Sequence, residues 1–97
     1  MASIGVITLE LRLADAHSLK DKRHVVRSLK DRLRKRYNVS VAEIAYQDLW
    51  QRALVAAVTV ASSRAVAEQM LESVEREAAS ELGPALVDVT TEWLDSL

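Results

Sequence analysis

Ala53-Leu54-Val55-Ala56-Ala57-Val58-Thr59-Val60-Ala61 is apolar on both of its alternating sets, Leu54, Ala56, Val58, Val60 and Ala53, Val55, Ala57, Ala61. A strand with one wet face alternates, whereas a strand covered on both faces reads as a continuous apolar run, so this segment is predicted to be a central strand. Its nine residues fall far short of the roughly 20 that a membrane helix needs. Toward the N-terminus, Ile7, Leu9, Leu11 and Leu13 alternate with Thr8, Glu10 and Arg12, the period of a strand with one buried face. Toward the C-terminus, Leu86 to Trp93 alternates Val87, Val89, Thr91 and Trp93 against Asp88, Thr90 and Glu92.

Between these strands the period lengthens. Ser18-Leu19-Lys20-Asp21 reads as a capped helix start, with the serine hydroxyl and an acid three residues on. The stripe Leu19, Val26, Leu29, Leu33 and Tyr37 predicts a first helix from Leu19 to Tyr37, with Asn38 as terminator. Val39 and Val41 begin a second strand that runs to Tyr46, followed by a turn at Gln47 to Trp50. A second helix starts at Ser62 or Ser63, buries Val66, Met70, Val74 and Ala78 with Leu71 and Leu82, and stops at Gly83-Pro84. The order strand, helix, strand, strand, helix, strand predicts an α+β, ferredoxin-like βαββαβ domain over residues 1–97. It has a four-stranded antiparallel sheet with two helices on one face.

Three of the placed segments are Ser18-Leu19-Lys20-Asp21-Lys22-Arg23, Asn38-Val39-Ser40-Val41-Ala42-Glu43 and Gln47-Asp48-Leu49-Trp50-Gln51-Arg52-Ala53. Together they resemble the signature of the YlxP-like family of small bacterial proteins, and the resemblance extends over nearly the whole chain. It implies a ferredoxin-like fold. The family's genes often lie beside those for translation initiation and ribosome maturation, which implies a role near RNA or ribosomes. The resemblance brings no catalytic or binding residues with it.

The net charge of −1 conceals a division along the chain. Residues 1–38 hold ten Lys and Arg against four acids, a surplus of six, while residues 39–97 hold three against ten. Such sorting points to an anionic partner for the first half or to complementarity between the halves. Lys20, Arg23, Arg27, Lys30 and Arg34 are spaced three, four, three and four, so they form one stripe about 100° around the first helix from its apolar line. That stripe is the candidate nucleic-acid site, able to follow a phosphate backbone. The competing reading is a solvated helix face partly neutralised by Asp31.

Other site chemistry is sparse. Phe is absent and only Tyr37, Tyr46, Trp50 and Trp93 are aromatic, too few for a sheet that stacks bases. Trp50, in a predicted turn, is read as an interface or core anchor ahead of a base contact. His17 and His24 lack the spacing of a metal pair, and with no cysteine in the chain neither a metal nor another cofactor is expected. Asp15, His17 and Ser18 match a triad in residue type only, and Glu43 and Asp48 are read as a solvated turn and a strand-end charge. Gly5 and Gly83 make no phosphate loop. No enzyme is expected.

The absence of cysteine and of a signal-like N-terminus fits a cytoplasmic protein that neither spans nor enters a membrane. Two functional expectations follow: a non-catalytic module that binds RNA or a ribosomal assembly through the first helix, or a homo-oligomeric protein-interaction module. With both helices on one sheet face, either Leu54, Ala56 and Val58 or Val55 and Ala57 must point away from them. A homodimer or higher oligomer is expected there, with the interface placed at Trp50, Val55 and Ala57.

Overall fold

In the computed structural model, which describes residues 1–94, the alternating segment forms strand β1, Ser3–Arg12, with every odd-numbered residue from Ser3 to Leu11 buried. Helix α1, Leu19–Arg36, starts where the sequence places it. The Ser18 hydroxyl accepts the Asp21 N–H at 3.1 Å, satisfying one orphan donor of the first turn, and the Asp21 carboxylate accepts the N–H of His17, just ahead of the cap, at 3.0 Å. The helix ends at Arg36, ahead of Asn38, because Tyr37 turns extended and donates its N–H to the Leu33 carbonyl.

Strands β2, Ser40–Ala45, and β3, Arg52–Ala61, follow, then helix α2, Arg64–Leu82, capped by the Ser63 hydroxyl. Gly83 at φ +55° turns the chain out of α2 through a short 3₁₀ turn, Gly83–Ala85, into β4, Leu86–Leu94. The sheet order is β2-β3-β1-β4 with every neighbouring pair antiparallel, which is the ferredoxin-like arrangement with β1 and β3 in the middle.

Both helices pack on the face that carries Ile7, Leu9 and Leu11 of β1 and Ala53, Val55 and Ala57 of β3. Val55 and Ala57 are therefore fully buried beneath the helices, and the placement of an interface on them is corrected: the outward set is Leu54, Ala56, Val58 and Val60. Strand parity is the reason, since Val55 faces Leu9 in register and Leu9 lies under the helices. Helix α2 differs from expectation too. It buries Ala67, Leu71, Val74 and Ala78 and leaves Val66 half-exposed.

Gly5 shows how tightly α2 and β4 sit on β1: a Cβ added there would lie 2.6 Å from the Trp93 ring and 2.7 Å from the Leu71 side chain. Two register shifts alter the faces. Between Glu10 and Leu11 the pairing with β4 skips Val87, which becomes exposed while Leu86 packs on the core. Between Glu43 and Ala45 the pairing with β3 skips Ile44, also left half-exposed.

Candidate nucleic-acid interface and the loop clamped beside it

At 100° per residue, α1 has three faces. Val26, Leu29 and Leu33 face the core. On one flank, Arg32 pairs with Glu77 at 3.1 Å and with Glu81 at 2.8 Å, Arg36 pairs with Glu77 at 3.1 Å, and Ser28 and Tyr37 donate to Glu81 and Glu77. The acids of α2 thus neutralise that flank. The Arg32 hydrogen bond, with Tyr37 and Arg36 assisting, holds the Glu77 carboxyl below its usual range against the opposing effect of burial. Burial first, then Glu77, pushes the Tyr37 phenol up, and the Glu77 hydrogen bond pushes the Arg32 guanidinium up.

The other flank turns toward edge strand β2 and carries the predicted stripe. Arg34 donates to the Val41 carbonyl at 2.7 Å, covering one backbone acceptor of that edge. Lys20, Arg23, Arg27 and Lys30 make no ion pair or hydrogen bond among the described residues. Asp31 pairs with neither Arg27 nor Arg34. A shallow groove of about 550 Å³, lined by His24, Arg27, Asp31 and Lys35 among others, runs along the ridge between the flanks.

One basic residue of the first turn of α1 lies off this surface. The Lys22 side chain is 1% exposed. Its ammonium lies 2.8 Å from a Glu43 carboxylate oxygen and donates to the Leu49 carbonyl at 2.8 Å and to the Tyr46 carbonyl. Two carbonyls accept hydrogen bonds from the ammonium and the Glu43 carboxylate supplies its counter-charge, so the buried charge is compensated. The signal for this was the gap of seven between Leu19 and Val26: Lys22 stands three after one and four before the other, on the apolar line itself.

Lys22 pins the loop that joins β2 to β3. Tyr46 opens that loop at φ +65°, a left-handed conformation that side chains disfavour, and its carbonyl also accepts the Leu49 N–H at 3.0 Å. The Arg52 guanidinium lies 4.1 Å over the Tyr46 ring, donates to its hydroxyl at 3.1 Å and pairs with Glu10 at 3.3 Å. The Gln51 carbonyl accepts the Leu13 N–H at 2.9 Å. Held at both ends and at its middle, the loop nevertheless leaves Leu49 47% and Trp50 50% exposed. Beside it a cleft of about 650 Å³ is lined by Arg12, Ala14, Asp48, Leu49, Trp50, Gln51 and Arg52.

The remaining candidates have structural duties. Ser18 is a cap, His17 contributes a backbone N–H, and Glu43 turns to Lys22 while Asp48 lines the cleft. Among the described residues, no three His, Asp or Glu side chains converge as metal ligands, and no helix is long and apolar enough to cross a membrane. The sheet face opposite the helices presents Ile4, Val6, Leu54, Ala56, Val58, Val60 and Ile44, with Asp88, Thr90 and Glu92 of β4 along one margin.

The three stretches that resemble one family signature meet at the Lys22 ammonium, which joins α1, Glu43 and the Trp50 loop. Comparison with known proteins agrees. Over 71 residues, 73% of this chain and 77% of its relative, the sequence is 42% identical to the "Uncharacterized protein YlxP" of Bacillus subtilis (strain 168). Among solved structures it is similar to the de novo designed protein Foldit4, at TM-score 0.61 and 10% identity with both chains fully covered, a likeness of fold alone. A de novo designed protein with ferredoxin fold, LFR1 1, aligns at TM-score 0.49 and 17% identity over all of this chain and 87% of that one. Residues 4–91 match the family described as "Protein of unknown function (DUF503)", and the chain belongs to that YlxP-like family.

Proposed function

We propose that this chain is a non-catalytic, cytoplasmic module that binds RNA, free or within a ribosomal assembly, through the β2-side flank of α1. One observation carries the reading. The fold sorts the cations of α1 into a flank neutralised by Glu77 and Glu81 and a flank where Lys20, Arg23, Arg27 and Lys30 pair with no acid among the described residues. Like charges one helical turn apart repel, and a chain of phosphates relieves that repulsion while releasing its counterions. The Ser18 hydroxyl and the Glu43 carboxylate are engaged in capping and in the Lys22 pair. No strand contributes an aromatic ring to the open sheet face among the described residues, and the Tyr46 ring at its margin is held against the Arg52 guanidinium, so bases are not stacked there as on an RRM-type sheet.

The test is fluorescence anisotropy with a labelled single-stranded RNA across a salt series. Four phosphate contacts give a log–log slope of about −3. The variant R23E/R27E/K30E is expected to lose binding while its circular dichroism and Tm stay at parent values, since none of the three packs in the core. Undiminished binding by the folded triple variant, or no binding by the parent at about 50 mM salt, rejects the reading.

A second reading concerns the open sheet face, where Val58 is 39% and Val60 53% exposed at the centre of an apolar surface. Contiguous apolar faces of this kind are uncommon on monomers. The matching expectation is a homodimer joined sheet to sheet, independent of RNA. Sedimentation at tens of micromolar should show a dimer for the parent and a monomer for V58D, and a parent monomer throughout removes it.

A further inference from the structure

We propose that the cleft beside Trp50 is a nucleotide site, taking a guanine base against the Trp50 indole with Asp48 at its N–H edge and Arg12 at its 5′-phosphate. It deepens the RNA reading by supplying a pocket for one nucleotide, and it rests on that reading only for the polymer as source.

Three independent features converge on this ligand. The first is order without burial. A buried ammonium, a left-handed Tyr46 and the Gln51 contacts fix the loop, yet its two largest apolar side chains, Leu49 and Trp50, remain half in solvent. A rigid exposed ring is a stacking platform that loses little entropy on binding. The second is unbalanced charge. Arg12 and Arg52 are directly paired neighbours on β1 and β3, where like charges oppose each other. Glu10 and Tyr46 engage Arg52, whereas Arg12 has no partner among the described residues, so an anion is the missing counter-charge.

The third is the donor set. Asp48 has no partner among the described residues and lines the same cleft as Arg12 without forming an ion pair with it. A flat ring, an acceptor-only carboxylate and a donor-only guanidinium match a base face, a base N–H edge and a phosphate. Guanine offers a carboxylate two adjacent N–H donors, N1 and N2, where adenine and cytosine offer one amino group. The cleft, at about 650 Å³, lies within the range of small-ligand sites. Its loop is also tied through Lys22 to the N-terminal end of α1, the end that carries Lys20 and Arg23. A strand lying along α1 is thereby led toward the cleft at one end.

The experiment is calorimetric titration of the full chain with GMP, AMP, UMP and guanosine, followed by a short RNA bearing a 5′-terminal pG. Saturable GMP binding is expected, at least about tenfold tighter than AMP, UMP or guanosine. W50A should weaken GMP at least about tenfold, the loss of one stacked base. D48N should erase the preference over AMP, and R12E the preference over guanosine. All three side chains are exposed, so each variant should melt with the parent, and D48N and R12E keep the test decisive if W50A does not fold. The variant R27E/K30E separates the two ideas: it should lose RNA but keep GMP. Tighter binding of the 5′-pG RNA than of GMP identifies the polymer as source, and equal binding identifies the mononucleotide. No saturation by GMP up to about 10 mM, or unchanged GMP affinity in folded W50A, overturns the site even if α1 binds RNA.

Discussion

Replacing Lys22 by methionine removes the ammonium while keeping most of the side-chain volume, and leaves the Glu43 carboxylate without its counter-charge, the Leu49 carbonyl without its donor and the Tyr46 carbonyl with the Leu49 N–H alone. Summing two charge-assisted hydrogen bonds at about 1.5–3 kcal/mol each with the Glu43 ion pair overstates the loss, because the desolvation cost of the lysine is recovered. Deleting one partner of a buried pair costs about 3–5 kcal/mol. Glu43 keeps 18% exposure and some access to water, which places K22M at the lower end, about 3 kcal/mol. A chain of this length has a total stability of about 5–15 kcal/mol, so the variant should still fold. With a urea dependence near the low end, about 1 kcal/mol per M, the unfolding midpoint should fall by roughly 3 M. The double variant K22M/E43L no longer strands a carboxylate and should recover more than half of the deficit. Native-state hydrogen exchange should show the Leu49 amide, bonded to the Tyr46 carbonyl, losing protection in K22M well before the amides of β1. A K22M variant within about 1 kcal/mol of the parent, or a double variant no more stable than K22M, refutes the clamp.

Three further outcomes are expected. G5A inserts a methyl group 2.6 Å from the Trp93 ring and should cost about 1–3 kcal/mol by overpacking, measured as a fall in the urea midpoint. T59V removes the donor to the Asn38 carbonyl at 2.8 Å from a buried position and should cost about 1 kcal/mol in the same assay. Because its folded value is depressed, Glu77 contributes stability that is complete above its ordinary value of 4.5 and is lost as pH falls through the lower folded value. The Tm gap between parent and E77Q should therefore be constant above about pH 5 and narrow below pH 4.5, and a gap that widens on acidification contradicts the Arg32 pairing.

The ferredoxin-like order was legible because the periods of two and of 3.6 residues alternate cleanly and Ser18, Ser63 and Gly83-Pro84 punctuate them. Which face of β3 lay outside was not, since Ala53-Ala61 is apolar on both sets and only its pairing with β1 breaks the tie. The line Val66, Met70, Val74, Ala78 advances by fours and drifts about 40° per step around the helix. The buried line Ala67, Leu71, Val74, Ala78 alternates four and three and holds its direction; the small Ala67 hid it. At the site, the stripe from Lys20 to Arg34 was readable from spacing, but the counter-charges that neutralise Arg32 and Arg36 on the opposite flank were not. Glu77 and Glu81 lie more than forty residues away and reach α1 only through the packing of α2. The clamp escaped for a related reason: a lysine among lysines and arginines reads as surface until Glu43, on the inward parity of Val41, is set opposite it.

The central place of β1 in the sheet has a consequence for the chain as it is made. Its two hydrogen-bonding edges are filled by β3 and β4, strands that leave the ribosome only after α1, β2 and, for the second edge, α2 have emerged. At about 5–20 residues per second, the forty residues between Arg12 and Arg52 take roughly 2–8 s, and the stretch to Leu86 about twice as long. For that interval Ile7, Leu9 and Leu11 have no sheet to join, while α1, built from local contacts, forms early. The nascent chain therefore displays its basic helix beside the ribosome before it has a core. Moving β1 to the C-terminal side of β4 by circular permutation would remove the wait and leave the final pairing unchanged.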